Sequence, residues 1–343
     1  MQTRLLLMAA LVAATSLTGC PKGHSLPGGH SLPGGGAVPG GMPGTSGEVD
    51  PNSCGNYAAM DGGMKLKAFL QATKDLETTT VETLKVVKQS CIMIGQQLQM
   101  SDAALAGDDT KAICNAVYAE LKNDMTVSLK AGASFKIKYK PAVCKLDIDA
   151  EAKAAAECDG HANADVGATC SGACHGTCDG QCSGKAGTGG TKGQCDGQCS
   201  GTCHGSCEGH ADVNASAQCK ASASVHASAN LECTKPELDV SFDAKVVLDK
   251  SKAQLVVNAM KNGIPEALSI KAHLEPLKYA VEVWAQTAKD LKDMGPKFVN
   301  SFKDQALCIA GQLKAAVDAS THIQANISVS VSVSANASGS VGG

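Results

Sequence analysis

The sequence predicts an α+β protein, a small helical bundle carrying a very long, disulfide-laddered antiparallel β-hairpin arm. Three observations lead there. From Cys144 onward the cysteines stand at 144, 158, 170, 174, 178 and 182, then at 195, 199, 203, 207, 219 and 233, so each has a counterpart such that the two numbers sum to 377. A constant index sum is the signature of antiparallel strands facing each other across a hairpin, and even spacings keep the cysteines of each strand on one face. Small or apolar residues alternate with polar ones along both limbs of this palindrome, whereas the segments outside it are apolar at helical spacing.

Residues 1–19 read as a signal peptide. Arg4 precedes an apolar run from Leu5 to Leu17 that is too short to span a bilayer as a helix. The run ends in Leu17-Thr18-Gly19-Cys20, which resembles the lipobox of bacterial lipoproteins. That resemblance implies cleavage before Cys20, acylation of its thiol and, with Pro21 rather than Asp next, an outer-membrane address in a two-membrane cell. Residues 20–53 hold the lipidated cysteine and a Gly/Pro-rich tether in which GHSLPGG occurs twice, a composition that cannot pack a core.

Residues 54–124 form the first part of the helical base. Leu66, Phe69, Leu70, Leu76, Leu84, Val87, Cys91, Ile94 and Leu98 are helically spaced over 64–99, and Asp108 or Asp109 caps a second helix through Ile113, Val117 and Leu121.

Residues 125–250 form the arm. The index sum pairs Cys144–Cys233, Cys158–Cys219, Cys170–Cys207, Cys174–Cys203, Cys178–Cys199 and Cys182–Cys195, with the tip at 187–190 and a two-residue turn on Thr188-Gly189. The same sum opposes Lys138 to Asp239, Lys140 to Glu237, Lys145 to Glu232 and Glu157 to Lys220, as cross-strand pairing favours. Counting from the tip, every cysteine pair is non-hydrogen-bonded, with facing Cα atoms ~4.5 Å apart. Gly172, Gly176 and Gly180 leave room between the rungs, and a bulge, bend or change of face is expected at the opposed Pro141 and Pro236. Strands of ~60 residues would give a straight ribbon of roughly 200 Å.

Residues 251–320 complete the base, with a short helix to Asn262, a second from Pro265 to Met294, and a third beyond Gly295-Pro296. Positions 91 and 114 lie at similar depth on either side of the first helix–helix loop, which favours Cys91–Cys114 and leaves Cys54–Cys308. The tail, 321–343, alternates Ile323, Ala325, Ile327, Val329, Val331 and Val333 with polar residues. It reads as a strand, either a third strand on the ribbon or an edge awaiting a partner.

Composition narrows the function. Without Cys20, sixteen of the 17 cysteines remain, an even number that suits complete pairing outside the cytoplasm. Arg4 is the only arginine and aromatics make up 3%, so neither a nucleic-acid surface nor a stacking platform is expected. Cys-x-x-x-Cys spacing in an exported chain argues against a thiolate metal store. His175 and His204 lie diagonally across the ladder on its polar face, where solvated side chains outweigh a metal pair. No catalytic motif is present, and no enzyme activity, cofactor or metal is assigned.

The expected function is a lipid-anchored cell-envelope structural or interaction protein, adhesin- or spacer-like. Its partners are the membrane, through the N-terminal lipid, and an unidentified protein or surface. Two alternatives stand beside it. Ala/Ser/Val alternation resembles the inserting hairpins of β-pore formers, and cysteine richness leaves a metal-binding role. In composition the mature chain is similar to uncharacterised Cys/Gly-rich lipoproteins of myxobacteria.

Overall fold

A computed structural model describes residues 48–60, 62–160, 168–186 and 193–341. The signal peptide, Cys20, the tether up to residue 47 and the hairpin tip at 187–190 lie outside the described residues. The chain is α+β.

Helix α1 (Gly63–Gln97) buries Leu66, Phe69, Leu70, Leu76, Val87, Cys91 and Ile94, the stripe that the spacing marks out. A single turn, α2 (Asp102–Leu105), leads to α3 (Thr110–Val127), where the Asp109 carboxylate accepts from the Ala112 N–H at 2.9 Å. On the far side of the β region, α6 (Lys250–Asn300) and α7 (Ala306–Val341) return to pack on α1. Trp284 of α6 is fully buried, stacks on Phe69 at 6.1 Å and donates from Nε1 to Thr73 Oγ1 at 2.9 Å. Cys91–Cys114 joins α1 to α3, and Cys54–Cys308 joins the start of the folded chain to α7.

Two expectations about this base change. Pro265 starts no new helix, because α6 runs through Pro265 and Pro276 without a break; non-helical dihedrals occur at Gly295. A proline removes one backbone bond, whereas the flanking turns bury Met260, Ile264 and Leu268 against the bundle, and burial outweighs the lost bond. The tail is not a strand but the second half of α7. An alternating pattern also supplies every fourth residue, so Ile323 and Ile327 fall on one helical face with Ser330, Val333 and Ala337. The hydroxyls of Ser330, Ser338 and Ser340 donate to carbonyls one turn back, at 2.9, 2.9 and 3.0 Å.

The strands between α3 and α6 are β1 (Lys136–Lys140), β2 (Cys144–Asp147), β3 (Ala168–Cys170), β4 (Ala173–Ala186), β5 (Gly193–Cys207), β6 (Ala211–Val213), β7 (Glu232–Cys233) and β8 (Glu237–Ser241). They form three antiparallel sheets: β1 with β8, β3 with β6, and β4-β5-β2-β7. Near the base the expected register is present, with Lys138 opposite Asp239, Lys140 opposite Glu237, Cys144 opposite Cys233 and Lys145 opposite Glu232. Lys140 Nζ and Glu237 Oε1 are 2.7 Å apart. Pairing stops at Pro141 and Pro236, between β1 and β2 on one limb and between β7 and β8 on the other.

The long continuous ribbon does not form. Residues Ile148–Asp159 are α4 and Ala217–Ala229 are α5, and α5 packs on α1 and α6. The continuous strands of the arm shorten to β4 and β5, of 14 and 15 residues. Alternating Ala with Ser or Lys is a weak strand signal, because alanine is the best helix former. Helix signals were also present: the Asp147 side chain caps α4 by accepting from Ala150 N at 2.9 Å, and Gly160 closes it in a left-handed conformation. Glu157 and Lys220 therefore sit on separate helices. Lys220 pairs instead with Asp212 at 2.5 Å.

Candidate functional site: a coil with a disulfide interior

The repeated Cys-x-Gly-x unit builds β4 and β5. Pairing there departs from a flat ladder in which linked cysteines face each other. In one register Cys178 opposes Cys203, Gly180 opposes Gly201 and Cys182 opposes Cys199, an index sum of 381. In a second register Cys174 opposes Gly197, His175 opposes Asp196 and Cys178 opposes Gly193, a sum of 371. Residues 174–178 of β4 thus meet β5 along both edges, so the ribbon is coiled on itself and its sulfurs point inward.

The bridges run between the two registers. Cys170–Cys207, Cys174–Cys203, Cys178–Cys199 and Cys182–Cys195 have Cα separations of 5.7, 6.0, 5.7 and 5.8 Å. Those distances exceed the ~4.5 Å of directly opposed non-hydrogen-bonded residues. A constant index sum is common to a flat hairpin and to two antiparallel strands wound together, so arithmetic alone does not separate them.

Glycine explains the winding. A Cβ on Gly180 would lie 2.7 Å from the Ser200 carbonyl oxygen, and one on Gly201 would lie 2.1 Å from that of Asp179. These glycines do more than clear space for rungs, because their bare backbones let facing strands approach more closely than any side chain permits.

The outer bridges tie the coil to the bundle. Cys158–Cys219 joins the end of α4 to the start of α5. Beside it the Asp159 carboxylate receives Ser216 N at 2.7 Å, Ser216 Oγ at 2.6 Å and Lys65 Nζ of α1 at 2.6 Å. Desolvation pushes this carboxyl's pKa up, but the Lys65 and Ser216 bonds outweigh it and hold the pKa below the usual range. Cys144–Cys233 closes the neck between β2 and β7. Thr234 N donates to Val143 O at 2.9 Å, the bond that flanks a non-hydrogen-bonded pair, so this rung has the local geometry expected of all six.

The two histidines of the polar face do not share a ligand point. His175 Nδ1 lies 2.5 Å from Asp196 and its Nε2 lies 2.7 Å from Glu208, whereas His204 faces Asp149 at 3.4 Å and Asp179 at 3.7 Å. Asp149, in the first turn of α4, also accepts from Gly205 N at 2.9 Å and so pins that helix to the coil. Among the described residues one trio of metal-ligating groups converges, Cys144, Cys233 and His273, and its two sulfurs are bonded to each other.

Sequence reasoning missed Glu151 of α4. It is 1% exposed, accepts from Ser224 Oγ of α5 at 2.8 Å and has its other carboxylate oxygen unpartnered. Desolvation pushes its pKa up to about 7, reinforced by Asp212 and opposed by the Ser224 bond and Lys220. An acidic residue in an Ala-rich stretch read as a strand carries no signal of this. It emerges only when α4 and α5 are seen to pack together.

No protein-family model, curated protein or solved structure matches the chain. No helix among the described residues is long and apolar enough to cross a membrane.

Proposed function

We propose that the chain is a lipid-anchored protein of the bacterial cell envelope, attached through acylated Cys20, that presents the disulfide-interior coil to a protein or surface partner. One observation carries this reading: all sixteen cysteines after Cys20 are paired in eight bridges. Complete pairing suits an oxidising compartment and sets apart the one cysteine that follows an apolar leader. The polar exterior of the coil, with the carboxylate-bracketed His175 and His204, is the surface offered to the partner.

The pore-former alternative loses its main support, since the Ala/Ser and Ser/Val alternations at 217–229 and 327–341 are helical. A thiolate metal store would require these bridges to be reduced.

Metabolic labelling with an alkyne fatty acid in a bacterial host tests the anchor. The wild type is expected to take up label and sediment with membranes, and Cys20→Ser to do neither. Equal labelling of both would remove the lipoprotein reading. Protease shaving of whole cells then reports whether the coil faces outward.

A further inference from the structure

Among the described residues, the neck bridge is set apart from the other seven by an imidazole beside it. The two sulfurs of Cys144–Cys233 and a ring nitrogen of His273, on α6, all lie within 4.8 Å of one another. Among the described residues no other bridge has an imidazole that close to both sulfurs. A cleft of about 320 Å³ opens beside Cys144, bounded by Val143, Ala173, Glu208, Ala272 and Glu275. Cys144 is 8% exposed but lines this cleft, and Cys233 is partly exposed, whereas Cys91–Cys114, Cys174–Cys203 and Cys178–Cys199 are buried at both cysteines.

We propose that Cys144–Cys233 is a thiol–disulfide exchange site, opened by a protein dithiol that enters through this cleft, with His273 as the proton carrier. The incoming thiol gives its proton to the imidazole, and the resulting thiolate attacks Cys144 Sγ. A bond forms between these sulfurs as the Cys144–Cys233 bond breaks, and Cys233 leaves as a thiolate that takes the proton from the imidazolium. The donor's second thiol then attacks the donor sulfur of the mixed disulfide and releases Cys144, with the proton passing to its sulfur. Across both steps the donor dithiol is oxidised to a disulfide by two electrons, and the bridge is reduced to two thiols. Burial pushes the His273 pKa down, which keeps the ring in its proton-accepting form near neutral pH. Opening matters structurally because β2 and β7 share only two paired positions, Cys144 with Cys233 and Lys145 with Glu232. The bridge spans 89 residues and is the covalent closure of the neck.

The test uses the full folded chain, oxidised, with reduced thioredoxin as the dithiol probe, alkylation at timed intervals and peptide mapping. Cys144 and Cys233 are expected to be alkylated at least tenfold faster than any other pair. A thioredoxin lacking its resolving cysteine should be trapped on Cys144. His273→Gln should slow opening about tenfold, and free imidazole should restore much of the rate, a rescue that a purely structural role would not give. The proposal is overturned if another bridge opens first, if none opens, or if the adduct forms elsewhere. It is equally overturned if His273→Gln keeps the wild-type rate or gains nothing from imidazole.

Discussion

The helical base and the coil solve the same problem with different materials. The base buries Trp284, Phe69, Leu66, Ile94 and Met260, and has two bridges across its elements. The coil has a second core made largely of Cys174, Cys178, Cys195, Cys199, Cys203 and Cys207, with Leu146, Ile148 and Val213 where it meets α4 and β6. Each base residue brings its own apolar area, at ~25 cal/mol per Å². Coil glycines bring none, and each costs roughly 0.5–1 kcal/mol relative to alanine in extended structure. Covalent rungs compensate for this, and they must be nested. The four coil bridges span 37, 29, 21 and 13 residues, so once an inner one closes, the next closes only a short additional loop. A core of side chains tolerates local exchange, whereas a core of bridges depends on oxidation and on register.

Complete reduction should therefore separate the two regions most sharply. After treatment with a strong reductant in mild denaturant, residues 168–207 are expected to exchange amide hydrogens as an unfolded chain does, while α1 and α6 stay protected. Equal loss of protection in both regions would show that the base depends on the coil.

The reverse perturbation is Trp284→Ala, which empties the largest buried volume of the base and should cost about 3–5 kcal/mol in denaturant unfolding. The four coil bridges should remain fully formed by peptide mapping. Scrambled coil disulfides in this variant would make the base a template for oxidation.

Glu151 probes the seam between the regions. Its carboxyl, raised to about 7 in the folded state, lies above the 4.5 of a free glutamate. Its stabilising contribution is thus full below pH ~4.5 and is lost as pH rises through 7. The loss between pH 5 and 8 should be on the order of 2–3 kcal/mol. Glu151→Gln should flatten that slope in a thermal melt series, and an unchanged slope would place the titrating group elsewhere.

The smallest effect concerns register. Cys158→Ala should cost ~2 kcal/mol and leave Cys219 as the principal free thiol. Removing both cysteines should be milder, because no unpaired thiol remains to attack the coil bridges. Thiol titration and peptide mapping would read this, and a Cys158 bridged to Cys144 or Cys170 in the wild type would contradict the pairing.

Parts of this molecule are determined by the sequence alone. Index sums pair the arm cysteines because any antiparallel arrangement, flat or coiled, conserves them, and the heavily apolar stripe of α1 admits one period. Tertiary structure decided what local patterns left degenerate. Alternating Ala/Ser or Ser/Val fits a strand by period two, but it also places a residue at every fourth position. The tail and residues 217–229 became helices because a bundle face was there to cover them. The desolvation of Glu151 and the approach of His273 to the neck bridge likewise depend on elements far apart in the chain. Periodicity records which residues can share a face; only the packed molecule decides which face is buried and what it meets.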